Sequence, residues 1–221
     1  VTDSRDADAK RLSADSLAQG DPTGWFERLY AAAADGGAVV PWDIAEPNAL
    51  LVDWLERHER ADGGMRALVV GCGLGRDAEH LATLGFETTA FDVSETAIQT
   101  ARERFPTSDV NYVVADLLAP PAAWDGAFDL VVESITVQSL PVSVRAEATA
   151  HVARMVAPGG DLLVIAGIRA DGEEVDGPPW PLTRAEIDAF ANNGLHSVRV
   201  EQVAPAGTPD SVRWRAVFQR S

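Results

Sequence analysis

The chain has 221 residues, 46% of them hydrophobic, and a formal net charge of −16. That length suits one domain with a full-sized core, and the acidic balance argues against partners held by clustered lysine and arginine, namely nucleic acid and anionic membranes. The single cysteine, Cys72, excludes an internal disulfide, and the single lysine, Lys10, excludes a P-loop and a Schiff-base enzyme.

Residues 1–22 are polar and read as a solvated arm, one that a ligand could order; residues 23–221 read as the folded domain. No apolar signal core opens the chain and no apolar run approaches the ~18 residues of a membrane span, so the expected location is cytoplasmic. From Thr23 a short helix is predicted through Trp25, Phe26, Leu29 and Tyr30, followed by a proline-containing loop, "DGGAVVPWDIAEP". A second helix is predicted from Asn48 to Glu59, with Leu51, Trp54, Leu55 and His58 on one face. Strand and helix then alternate. Strands are expected near 66–70, 87–91, 110–114, 128–133 and 161–167, and helices near 75–84, 95–104 and 143–156. In the last helix Val144, Ala148, Val152 and Met155 recur at helical spacing. The strands are near-continuous apolar runs ("ALVV", "DLVV", "LLVI"), as when both faces of a parallel sheet are covered. A helix from Thr183 to Asn193 then leads to "HSVRVEQV" and "VRWRAVFQR", two alternating strands able to pair antiparallel.

The first strand ends at Val70 and runs into Gly71-Cys72-Gly73-Leu74-Gly75. In an open α/β sheet, ligands sit at the carboxyl ends of the strands, where glycines let the backbone come close. Asp92 ends the second strand, 21 positions after Gly71 (92 − 71). An acid there can accept from both ribose hydroxyls of an adenosine. The third strand ends in "ADLL", where Asp116 can accept from an adenine amine and the Leu117 N–H can meet a ring nitrogen; a turn-capping role for Asp116 is the alternative. A dinucleotide fits less well, because Arg76 stands where G-x-G-x-x-G has its third glycine. No Tyr-x-x-x-Lys pair and no G-x-S-x-G elbow occur.

This set, with "FDLVVES" as a fourth strand and "HVARMVAPGGDLLVI" leading into a fifth, resembles the class I S-adenosylmethionine-dependent methyltransferases over about residues 41–221. The resemblance implies an α/β, doubly wound, Rossmann-like seven-stranded sheet. It would be mostly parallel, with an antiparallel C-terminal hairpin, and S-adenosyl-L-methionine would be the cofactor. More narrowly, "PWDIAEPNALLVDWL", "GPPWPLTRAEID" and Arg145 in "LPVSVRAE" resemble the halide/thiol and thiopurine S-methyltransferase branch; "SITVQSL" departs from its aromatics and cysteine after strand four.

On this reading Gly71, Cys72 and Gly73 approach the methionyl part of the cofactor, Asp92 and Val93 the ribose, and Asp116 and Leu117 the adenine. Cys72 reads as a small packed residue. Glu133 either faces the methionyl ammonium or is a cap or ion-pair acid. Trp42 closes over the cofactor; Trp25 does the same or belongs to the core. Trp25, Val137, Arg145 and Trp180 are the expected acceptor-side residues, with Arg145 and Glu133 the catalytic candidates and a surface ion pair the alternative for Arg145. The segments around Trp42 and Trp180 read as two lids. His58, His80, His151 and His196 have no metal-ligand spacing. With no obligatory general base apparent, the expected acceptor is a small molecule that ionises readily, a thiol above all. An O- or N-methyltransferase and a non-catalytic cofactor-binding regulator are the alternatives, and a monomer or small homo-oligomer is expected.

Overall fold

The computed structural model describes residues 4–57, 64–205 and 207–221. Three helices come first: α1 (Ser4–Ala18), α2 (Gly24–Ala34) and α3 (Ala49–Arg57). The alternating part follows as β1 (Arg66–Val70), α4 (Arg76–Thr83), β2 (Glu87–Asp92), α5 (Glu95–Arg104), β3 (Asn111–Val114), β4 (Phe128–Ser134), α6 (Val142–Met155) and β5 (Val156–Gly167). The chain ends with α7 (Arg184–Asp188), β6 (Leu195–Val203) and β7 (Arg213–Arg220).

The seven strands form one sheet in the order β3-β2-β1-β4-β5-β7-β6. β1 pairs in parallel with β2 on one side and β4 on the other, and β7 runs antiparallel between β5 and β6. The chain therefore leaves β1 in one direction and returns to its other side after β3. The loops at the carboxyl ends of β1 and β4 splay apart there, which opens a cleft.

Strand alternation divides the core. Leu68 and Val70 face one cluster with Val131, Val152, Met155, Ile187 and Phe190, under α6 and α7. Ala67 and Val69 face the other with Leu51, Trp54, Leu81 and Ile98, under α3, α4 and α5. A third cluster joins Ala9 and Leu12 of α1 to Trp25, Leu29 and Tyr30 of α2 and to Ala97 of α5.

Three expectations change. The polar arm becomes α1 over its described part, because Ala9, Leu12, Ser13 and Ser16 form one buried stripe against the following helix. The helix expected from Thr183 to Asn193 is only α7, started by a capping box in which Thr183 and Glu186 satisfy each other's backbone N–H. β5 begins at Val156, directly after α6, with a register shift before Leu130 pairs with Asp161. His58 and Glu59, at the end of the second predicted helix, lie outside the described residues.

Candidate active site

The cleft lies over the carboxyl ends of β1 to β4 and is walled by α2 and by the segment before α3. Gly71 and Gly73 form its floor at φ 58° and 51°. A Cβ on Gly71 would stand 2.5 Å from the Thr136 side chain, and one on Gly73 would stand 2.8 Å from the Tyr30 hydroxyl. Both the backbone conformation and the space thus require glycine, which leaves the main chain open to a ligand.

Asp92 ends β2 in the cleft wall, almost wholly buried at 6% exposure. Its Oδ2 accepts from the Gly73 N–H at 2.9 Å and its Oδ1 from the Ser94 N–H at 3.0 Å. Burial pushes its carboxyl up to about 6, against the pull of these backbone donors, and the charge of Glu27 adds to the rise. The Val93 N–H is a third backbone donor to this carboxylate, whose two oxygens together still have acceptor capacity to spare. Val93, Asp116 and Leu117 continue the wall, with Asp116 Oδ1 accepting from the Leu118 N–H at 2.8 Å.

Cys72 also lines the cleft; burial and the neighbouring Asp92 push its thiol well above the usual range, so it stays protonated. Trp42 lines it too, donating its indole N–H to the Tyr30 hydroxyl at 2.6 Å. α2 is clamped in place by Glu27, which accepts from the Ser94 hydroxyl and from the Thr96 hydroxyl, both at 2.6 Å.

Five expected site residues do not reach the cleft wall. Glu133 is fully buried beneath it, with Oε1 accepting from the Val137 N–H at 2.8 Å; it pins the turn that follows β4. Val137 is buried in that turn, in the core under α6. Arg145 is a buried tie: Nε donates to the Leu140 carbonyl, Nη1 to Glu186 at 2.7 Å, and Nη2 to the Gln138 and Trp180 carbonyls. Trp180 sits in the loop that Arg145 holds, its ring against Gly177. Trp25 is at 0% exposure, stacked on Phe26 inside the third cluster. Arg145 finds its partners within the fold, whereas Glu133 Oε2 and the Trp25 indole N–H are buried with no hydrogen-bond partner among the described residues.

The cleft has other walls that sequence reasoning did not single out. Phe26 and Tyr30 come from α2, Asn48 from just before α3 and Asp77 from α4, while Ser134 ends β4 and Ile135 and Ser139 lie in the turn after it. Asp77 accepts from the Asn48 N–H at 2.7 Å, and Asn48 Nδ2 donates to the Ser134 hydroxyl at 2.9 Å. The signal for Asp77 was present in "GLGRDA", an acid in the first turn of the helix after the glycines.

Residues 67–160 match the model of a methyltransferase domain. The chain is 30% identical over 171 residues to the 2-heptyl-1-hydroxyquinolin-4(1H)-one methyltransferase of Mycobacteroides abscessus, covering 75% of this chain and 71% of that one. This chain belongs to the S-adenosylmethionine-dependent methyltransferases. A probable thiol methyltransferase 2 of Arabidopsis thaliana is 26% identical over 172 residues, 74% of each chain. The N-methyltransferase NodS of Bradyrhizobium japonicum, solved with S-adenosyl-L-homocysteine, shares the fold at a TM-score of 0.67 and 22% identity, over 88% of this chain and 98% of that one.

The cleft of this methyltransferase fits its cofactor on its own geometry. Open glycine backbone, a buried carboxylate and an indole ring line one space, as a ligand with a ribose and a sulfonium requires. No described helix is long and apolar enough to cross a membrane.

Proposed function

We propose that this methyltransferase methylates a small-molecule thiol. In the bound state the cofactor supplies a methyl group already activated on a sulfonium, so the protein's work is positioning. Asp92 would accept from the ribose hydroxyls, and Asp116 with the Leu117 N–H would hold the adenine. The Gly71–Gly73 backbone admits the methionyl arm, and Trp42 covers it. Asp77, which forms no ion pair among the described residues, lies on the α3–α4 side of the same space.

The observation that carries the acceptor class is the lining of the remaining space. Phe26, Ile44, Ile135 and Leu140 stand there, and no histidine or lysine lines the cleft among the described residues. Of the carboxylates that line it, Asp43 is ion-paired with Arg104 at 2.7 Å, Asp92, Asp116 and Asp77 each accept a backbone N–H, and Glu46 is exposed to solvent. A pocket without histidine or lysine favours an acceptor that sheds its own proton, and a thiol does so near neutral pH. The similarity to the thiol methyltransferase of Arabidopsis agrees with this reading. The similarity to the hydroxyquinolone methyltransferase supports a second one, methylation of an acidic hydroxyl, which also ionises unaided.

A labelled-methyl assay with matched panels of thiols, phenols, N-hydroxy heteroaromatics and amines, read by product mass, decides between them. S-methyl products with the highest kcat/KM are expected. O-methyl or N-methyl products that exceed them overturn the thiol reading.

A further inference from the structure

Among the described residues, two that are not glycine adopt a positive φ: Asn193 at 49° and Ile135 at 66°. Asparagine tolerates that region, whereas a β-branched residue is driven out of it by its own Cβ substituents. Ile135 is therefore strained, and it is the one of the two that lines the cleft. It is half-buried, yet it packs in none of the three hydrophobic clusters. Packing of the core does not account for an isoleucine there.

The turn around it is held from every side. The Ile135 N–H donates to the Ile165 carbonyl at 2.9 Å, and the Ile135 carbonyl accepts from the Ser139 hydroxyl at 2.9 Å. Thr136 Oγ1 donates to the Val70 carbonyl at 2.9 Å, tying the turn to the end of β1. Glu133 holds the Val137 N–H, and Arg145 holds the Leu140 and Gln138 carbonyls. Strained conformations persist where the surroundings over-determine them, and they collect at sites of function.

We infer that Ile135 is a specificity-determining residue, forced into the left-handed conformation so that its side chain limits the depth of the acceptor pocket beside the transferring methyl. The pocket then admits compact, largely apolar acceptors and excludes bulky ones. Glu133, Ser139 and Arg145 are positioning residues that act through this turn. The inference rests on the methyltransferase reading of the cleft, and it holds whichever acceptor atom is methylated.

Two variants test it. Ile135→Ala removes the bulk and the β-branch and keeps only the Cβ penalty of a positive φ; Ile135→Gly removes that as well. Acceptors of graded size are taken from whichever chemical class the wild-type protein turns over, so failure of the thiol reading shows in the wild-type panel and leaves this comparison intact. Melting temperature and calorimetric binding of S-adenosylhomocysteine are measured alongside. The expected result is a shift of at least tenfold in kcat/KM toward the bulkier acceptors in both variants. The dissociation constant for S-adenosylhomocysteine should stay within about threefold, and the glycine variant should melt no lower than the alanine variant. Unchanged size preference in both variants overturns the inference. So does a fall in stability in both of the size that a core isoleucine would give, because Ile135 would then be packing rather than gating.

Discussion

Lowering the pH from about 7.5 to about 5 weakens cofactor binding through Asp92. Its carboxyl titrates at about 6 in the ligand-free protein, raised first by burial. The ionised form offers the acceptor lone pairs, so only that fraction of molecules is ready to bind. At about pH 5, one unit below that value, roughly a tenth is ionised, and the apparent dissociation constant rises about tenfold, or ~1.4 kcal/mol. Calorimetry with S-adenosylhomocysteine at several pH values reads this directly, since the ligand itself does not titrate in that window. Proton release on binding should grow as pH falls, from nearly none at about pH 7.5 to roughly half a proton at about pH 6 and roughly nine-tenths at about pH 5. Asp92→Asn removes the titration and places an amide N–H against the Gly73 N–H, so its binding is weaker by about 1.5–3 kcal/mol and flat with pH. A wild-type constant that does not change between about pH 5 and 7.5, or a pH slope that survives in Asp92→Asn, refutes the placement of the ribose on Asp92.

Other outcomes follow from the same geometry. Burial raises the Glu133 carboxyl to about 7, so the folded protein holds that proton more tightly than the unfolded chain; this contribution to stability is complete below about pH 4 and is lost as pH rises through about 7. Glu133→Gln keeps an acceptor for Val137 and carries no charge, so it should raise stability at about pH 8, by up to about 3 kcal/mol, and leave it nearly unchanged at pH 4, as denaturant titrations at the two pH values would show. Arg145→Ala takes the guanidinium donors from Glu186 Oε1 and three carbonyls, while Arg169 still pairs with Glu186, and should cost about 2–4 kcal/mol in urea unfolding, with Arg145→Lys a poor substitute. A stable Arg145→Ala protein that lost only acceptor binding would return Arg145 to the site. Trp25→Ala should lose about 3–5 kcal/mol of stability, whereas Trp42→Ala should chiefly lose turnover and cofactor affinity; thermal melts paired with activity per folded molecule separate the two.

The sheet, and the meeting of Gly71, Asp92, Asp116 and Leu117 in one cleft, were legible because their signals are periodic or tied to strand ends. Once β1, β2 and β3 were located, Gly71, Asp92, Asp116 and Leu117 had to stand together at one edge of the sheet. The acceptor side was not legible in that way. Glu133 also ends a strand, but nothing in the sequence says whether its side chain turns up into the cleft or folds back to the N–H four residues on. Arg145 carried a usable signal, since it lies three and seven positions before Ala148 and Val152 on the buried face of α6, so its guanidinium had to find partners inside. In α1 the informative pattern was one of small residues, Ala9, Ser13 and Ser16, which are too weakly apolar to stand out from their charged neighbours as a buried face. The left-handed Ile135 left no trace at all, because the residue least suited to that conformation occupies it.

The Tyr30–Trp42 pair gives the molecule an optical property of its own. Trp42 borders the cleft with its indole N–H engaged by a phenol, and the Trp25 ring lies edge-on at 6.0 Å between centroids. A ligand that slides beneath Trp42 changes the polarity on one indole face and the exchange of excitation with its neighbour. Intrinsic fluorescence should therefore follow filling and emptying of the cleft in real time, with no dye attached, and Trp42→Phe, in which the other five tryptophans still emit, should lose the ligand-dependent change.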